Sequence, residues 1–267
     1  MVNQTVRNRS ALARASALLY ALIAYALFLL TLLCAIAWVG NLGAPLSVDS
    51  GPLSPPGTAL LIDLALLALF AIQHSLMARQ SFKRRWARVV PAPVERSTYV
   101  LCASLALLLL FWHWRPLPGV VWDVGDPLAR AVVWVIFDLG WSMAVLASFL
   151  INHFDLFGVR QATALLRRHS SGPVSFKTTW LYSLVRHPIM LGFVLAFWAT
   201  PRMTIGHLVF AGASTAYILI GIRLEERDLR RQFGAVYAAY QARVPRLVPR
   251  LGGGRTSPRP RPQETHV

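Results

Sequence analysis

Three histidines stand where chemistry could be done. His74, His153 and His187 each lie alone on their segment at the edge of an apolar run. A histidine titrates near neutral pH and can act as a general base, although a lone interfacial histidine can equally be a satisfied boundary residue. His153 belongs to the string INHFDLFGVRQ, residues 151–161, with Asn152, Asp155 and Arg160 beside it. Asp155 could orient the imidazole or pair with Arg160, and Arg160 could instead hold a lipid phosphate. His187 belongs to LVRHPIMLG, residues 184–192. Pro188 suits the first turn of a helix, where its missing N–H costs nothing. Arg186 and His187 then stand just ahead of a helix N-terminus, where two cations oppose the macrodipole. They make sense if an acidic group comes to meet them, and Glu225 and Glu226 are the obvious acids. An ion pair that pins two chain segments and a ligand site both fit this pattern. No histidine spacing resembles a metal site.

These groups need elements to position them. The chain has 267 residues, 55% hydrophobic and 14% charged, against about 25% charged in a soluble domain. The apolar residues fall in long blocks, which marks an all-α, polytopic helical membrane protein. Four blocks approach the ~20 residues that span the hydrocarbon: Ala17–Val39, Thr58–Met77, Ser97–Trp114 and Ala131–Ile151. A fifth region, Ile189 to Ile222, is interrupted at Thr200-Pro201-Arg202 and reads as a helical hairpin with unequal arms, giving five to six membrane segments. Asp138 inside the fourth block is costly in lipid without a partner and is assigned a structural role. Phe111-Trp112-His113-Trp114 reads as an outer aromatic belt. The formal charge of +16 lies between the blocks and at the C-terminus, as in loops facing anionic lipid, so nucleic acid is not the expected partner. Cys34 and Cys102 sit inside apolar runs as small hydrophobes.

Basic residues set the orientation. Arg7, Arg9 and Arg14 precede the first block, and no basic residue follows it in NLGAPLSVDSGPLSPPG. The next connection carries Arg79, Lys83, Arg84, Arg85, Arg88 and Arg96; the segment after block four carries Arg160, Arg167, Arg168, Lys177 and Arg186. The alternation places both termini in the cytoplasm and brings His74, His153, Arg186–His187 and Glu225–Glu226 to one membrane face. Beyond the hairpin, Ile222, Leu229, Phe233, Val236 and Tyr240 share one face of an amphipathic helix that stops at Val244-Pro245. Residues 1–14 form a cytoplasmic tail, 15–250 one membrane domain, and 251–267 a disordered basic tail.

Arg186-His187-Pro188, Gly192, Glu225-Glu226, Leu229, Phe233-Gly234, Tyr237, Tyr240 and Val244-Pro245-Arg246 together resemble the C-terminal half of the isoprenylcysteine carboxyl methyltransferase-like membrane methyltransferases. AIQHSLMAR, residues 71–79, and INHFDLFGVRQ are similar to the NnrU-like branch of that group. The resemblance covers about residues 15–250. It implies a C-terminal hairpin and helix, about 181–250, that enclose S-adenosylmethionine at the cytoplasmic face through Arg186, His187, Pro188, Gly192, Glu225, Glu226 and Tyr237. It also implies methylation of methanethiol to dimethyl sulfide. Met190 stands where the carboxyl methyltransferases have tyrosine, which argues against a prenyl-cysteine acceptor.

Methyl transfer from a sulfonium is an in-line displacement, so the protein must align three atoms and exclude water. A thiol with a pKa near ~8.5 or above is mostly protonated at neutral pH, so a base or a positive charge beside its sulfur would help. His153 and Asp155 are assigned to a small apolar acceptor end, with His74 nearby, and His187 with Glu225 or Glu226 to the cofactor. The expected partners are a small volatile thiol and membrane lipid, with no obligate protein partner, in a bacterial inner membrane.

Overall fold

Proline and polar caps set most helix starts. Pro56, Pro93, Pro127 and Pro188 each lie in the first turn of a helix, where no partner is lost. Ser10 and Asp126 accept backbone N–H groups from Ala13 and Ala129, and Thr204 Oγ1 accepts that of His207 at 3.1 Å. The computed structural model describes residues 10–43, 46–166 and 180–249. The C-terminal tail, residues 1–9, and the segment with Arg167, Arg168 and Lys177 lie outside the described residues.

The elements are α1 (Ala11–Val39), α2 (Pro56–Ala78), α3 (Gln80–Trp86), α4 (Ala92–His113), β1 (Val120–Asp123), α5 (Pro127–Ile151), α6 (His153–Leu156), α7 (Val159–Leu166), α8 (Leu181–Leu184), α9 (Pro188–Trp198), β2 (Arg202–Thr204) and α10 (Ile205–Arg243). Five of these, α1, α2, α4, α5 and α10, are long and apolar enough to cross a membrane. The protein is a polytopic helical membrane protein. α1 and α2 flank α4, α9 packs along α5, and α10 rests on α9 and α2.

The short arm is α9, with 11 residues or about 17 Å of helix, roughly half the hydrocarbon thickness. Irregular backbone at such a depth is tolerated only when protein covers it. Here β1 and β2 pair as an antiparallel ribbon, Val124 N–H donates to Pro201 O at 2.9 Å, and Trp122 Nε1–H donates to Thr200 O at 3.1 Å. His207 Nε2–H reaches back to Phe197 O at 2.9 Å. The broken region is thus closed by its own neighbours.

The main core lies at this same end, where Trp38, Phe111, Trp114 and Phe210 interlock. The aromatic run of α4 therefore divides. Trp112 faces outward as a belt residue, whereas Phe111 and Trp114 are buried, with Trp114 Nε1–H on Val48 O at 3.1 Å. Packing demand has taken two of the belt's rings inward. Asp138 projects outward from α5, and no partner meets it among the described residues.

α5 and α9 cross at glycine. A Cβ on Gly192 would lie 2.5 Å from Gly140 O, and one on Gly140 would lie 2.8 Å from Gly192 O. This contact fixes the start of α9, and with it Arg186 and His187, against α5, which ends at Ile151 just before His153.

Candidate active site

The functional groups gather at the opposite end of the bundle, where α2 and α5 finish and α4 and α9 begin. Arg186 and His187 precede α9, and their backbone N–H groups donate to Pro245 O at 2.9 Å and Arg246 O at 3.2 Å. The chain returns there because α10 is non-helical at Gly234, φ +52°. This left-handed conformation suits glycine and turns the last segment toward Arg186. Arg186 then donates Nη1–H to Gln241 O at 2.8 Å and Val244 O at 2.7 Å.

The two adjacent glutamates differ. Glu226 is 5% exposed and receives Arg186 Nε at 2.8 Å, Arg246 Nη2 at 2.9 Å and His187 Nε2 at 3.2 Å. A buried carboxylate is tolerable only with such partners. Glu225 is half exposed, with its carboxylate 3.6 Å from His187 Nδ1. The acids anticipated for Arg186 and His187 do meet them, and Arg246 joins. Glu226 is the hub of a staple, and Glu225 keeps capacity for a further partner. The ring of Tyr237 is buried beside Tyr240, whose hydroxyl donates to Tyr182 O at 2.6 Å. Gly192 is taken up by the helix crossing and Pro188 by the first turn of α9.

Tyr182 links this half to the other. Its hydroxyl donates to Ala147 O at 3.2 Å, one residue before Ser148. His153 is 6% exposed; its Nδ1 lies 2.8 Å from Ser148 Oγ and its Nε2 2.8 Å from Tyr25 Oη. Burial holds its pKa below the ordinary value, favouring the neutral ring. Phe149 stacks on the imidazole, centroids 3.9 Å apart, and Phe154 and Phe157 close other sides. Asp155 does not orient His153, because its carboxylate pairs with Arg160 at 3.2 Å and accepts from Gln161 at 2.7 Å. Ser148 and Tyr25 hold the ring instead.

The turn carrying His153 is pinned to α4. Gly158 has φ +88°, and a Cβ there would lie 2.7 Å from Ser97 N; Arg96 Nε–H donates to Leu156 O at 2.7 Å. The Arg96 guanidinium also lies over the Tyr99 ring, and Tyr99 Oη sits 2.8 Å from His74 Nε2. Tyr217 of α10 meets His74 edge-on. His74 therefore faces α4 and α10, whereas His153 faces α1. Sequence reasoning missed Tyr25, Ser148, Tyr99 and Tyr217, which carry no motif and sit within apolar blocks. The serine five residues before His153 was the one available signal.

Fold and site together define a helical membrane protein with an acid–base assembly at one end of its bundle. The chain belongs to the NnrU family, whose model, described as NnrU protein, matches residues 62–244. It is 52% identical over 253 residues to methanethiol S-methyltransferase 2 of Bradyrhizobium diazoefficiens, covering 93% of this chain and 97% of that one. It is 52% identical to methanethiol S-methyltransferase of Pseudomonas deceptionensis, over 92% of this chain and 94% of that one. For the protein of the same name from Mycobacterium tuberculosis, the identity is 49%, over 87% and 95%. No solved structure matches the chain.

Proposed function

We propose that this chain transfers a methyl group from S-adenosylmethionine to methanethiol, giving dimethyl sulfide, at the cytoplasmic face of a bacterial inner membrane with both termini cytoplasmic. The reading rests on near-full-length identity of about half to relatives named for methanethiol S-methylation. When bound, the methyl donor supplies a sulfonium-activated methyl group.

The residues fit a zwitterionic nucleoside donor. Arg246 and Glu225 are both about half exposed beside His187, which offers a cation for a carboxylate and an acid for an ammonium or a ribose hydroxyl. Arg186 and Glu226 hold that frame together. Tyr237 completes the cofactor side in this proposal, while Pro188 and Gly192 act only by fixing the start of α9 that carries Arg186 and His187. The acceptor side is the aromatic surround of His153, with Asp155 and Arg160 forming its polar rim; His74 reaches it only indirectly, through Tyr99 and the Arg96 that holds Leu156 O. A shallow apolar groove lined by Ile36, Trp141, Ser142, Val145, Leu146 and Phe149 runs to the ring stacked on His153. It offers a two-heavy-atom thiol an approach from lipid. His153 is where the thiol proton ends, and the phenylalanine rings exclude water from the sulfur.

Membranes containing the chain, given S-adenosylmethionine and methanethiol, should release dimethyl sulfide into the headspace. No product above a His187→Ala control would sink the proposal.

A further inference from the structure

We infer that Tyr25 is the group that takes the proton from the acceptor thiol, passing its own to His153, and that Ser148 fixes the direction of this transfer. The inference rests on the thiol-methylating reading of the site.

The hydrogen bonds can be given a direction. Ser148 Oγ lies 2.6 Å from Val145 O, a separation at which one oxygen must donate. A carbonyl has no proton to give, so the single hydroxyl proton of Ser148 goes to Val145. Ser148 Oγ therefore accepts at its 2.8 Å contact with His153 Nδ1, and that nitrogen carries the N–H. A neutral imidazole has only one such proton, so Nε2 presents a lone pair. The group facing that lone pair at 2.8 Å is Tyr25 Oη, which must donate to it. The chain of donors runs from Tyr25 to His153 to Ser148 to Val145.

Access points to the same residue. Both imidazole nitrogens are engaged, and Phe149 covers one ring face in near-parallel contact at 4°. His153 is buried, whereas Tyr25 is only partly so. The imidazole thus offers a thiol no free nitrogen, and Tyr25 is the more exposed member of the hydrogen-bonded pair. The rings of Phe28, Phe154 and Phe157 lie 6.1–6.2 Å from that of Tyr25, an apolar surround matched to an uncharged methyl sulfide. The titratable group meeting His153 is Tyr25, from α1; Phe149, Phe154 and Phe157 carry no charge, and Asp155 is turned toward Arg160.

The step balances. The thiol S–H proton moves to Tyr25 Oη as the Tyr25 proton moves to His153 Nε2. The sulfur lone pair forms the new C–S bond while the old bond pair stays with the donor's sulfur. Tyr25 ends neutral, His153 ends protonated, and the proton is lost to solvent before the next turnover.

The test is 15N NMR of histidine-labelled protein in detergent, with His153 assigned by substitution, together with dimethyl sulfide kinetics. Wild-type protein should show a protonated Nδ1 and an imine-type Nε2 at His153. Ser148→Ala should mix the two tautomers and lower kcat, and Ser148→Thr should restore both. Tyr25→Phe keeps the ring and should lower kcat about 100-fold, a deficit that narrows at alkaline pH where the thiol ionises unaided. A protonated Nε2 in the wild type would overturn the inference. So would undiminished activity in Tyr25→Phe alongside an inactive His153→Ala variant, and that outcome would leave His153 as the base. Full activity in His153→Ala would remove the base reading itself.

Discussion

At the scale of single residues, neighbouring groups of the same type do different work because their surroundings differ. Glu226 has three hydrogen-bonding partners, two of them arginines, and almost no solvent exposure, while Glu225 has one partner and is half exposed. Removing the Glu226 carboxylate takes away the counter-charge of the largely covered Arg186 side chain, leaving it only the Gln241 and Val244 carbonyls, and breaking such a pair costs up to about 3–5 kcal/mol. Glu226→Ala should therefore lower the thermal midpoint in detergent and abolish activity. Glu225→Gln should keep the midpoint and raise KM for S-adenosylmethionine, which initial-rate kinetics would separate. His153 carries a pH prediction with a definite sign. Its pKa lies below the ordinary 6.5, so the neutral base persists in the folded protein until the pH has fallen past that value. The acidic limb of kcat/KM should then lie below pH 6.5. Over the same range the unfolded chain takes up a proton first, so this group's contribution to stability declines as pH drops from about 6.5. A limb centred above pH 7 would exclude His153 as the group observed. The histidines and the acid pair were legible as candidates because they are rare ionisable groups at the edges of apolar runs. Their division of labour was not, since burial and partners separate Glu225 from Glu226 and sequence shows neither.

At the scale of elements, blocks of apolar residues announced the helices α1, α2, α4 and α5, and Pro201 announced the break in the hairpin. Hydropathy alone could not reveal how α9 survives at half length, because the cover at its far end comes from a segment well upstream, at Trp122 and Val124. Nor could it reveal that the hairpin's long arm and the amphipathic helix are one element, α10, interrupted only at Gly234. The family resemblance assigned Gly192 to the cofactor, whereas its immediate surroundings are the backbone of α5. Gly192→Val should force α5 and α9 apart, costing about 1–3 kcal/mol from overpacking and lowering activity through displaced Arg186 and His187. Thermal unfolding and turnover of the same preparation would check both. An unchanged midpoint would show that the crossing is not tight.

At the scale of the whole molecule, one end is a packed aromatic plug and the other holds the polar chemistry. The +16 charge and the alternating basic loops made this polarity readable before any contact was known. Fusion reporters at the two termini should both report the cytoplasm, and a periplasmic signal from either would reverse the proposed orientation. Asp138 is the exception, an acid facing outward from the middle of α5. Asp138→Leu should ease membrane insertion by about 2.5–3.5 kcal/mol on the translocon scale, read as a higher inserted fraction with headspace activity retained. α10 also works as a measuring rod. From Ile205 at the hairpin turn to Glu226 it runs about 31 Å, close to one hydrocarbon thickness. Its residue count thus sets both the depth and the heading of the acid pair. A one-residue insertion above Glu225 would swing the carboxylates by about 100°. Four inserted residues would nearly restore the heading yet carry the acids about 6 Å past Arg186. Between the hairpin turn and Glu225, then, the chain can change its letters far more freely than its length.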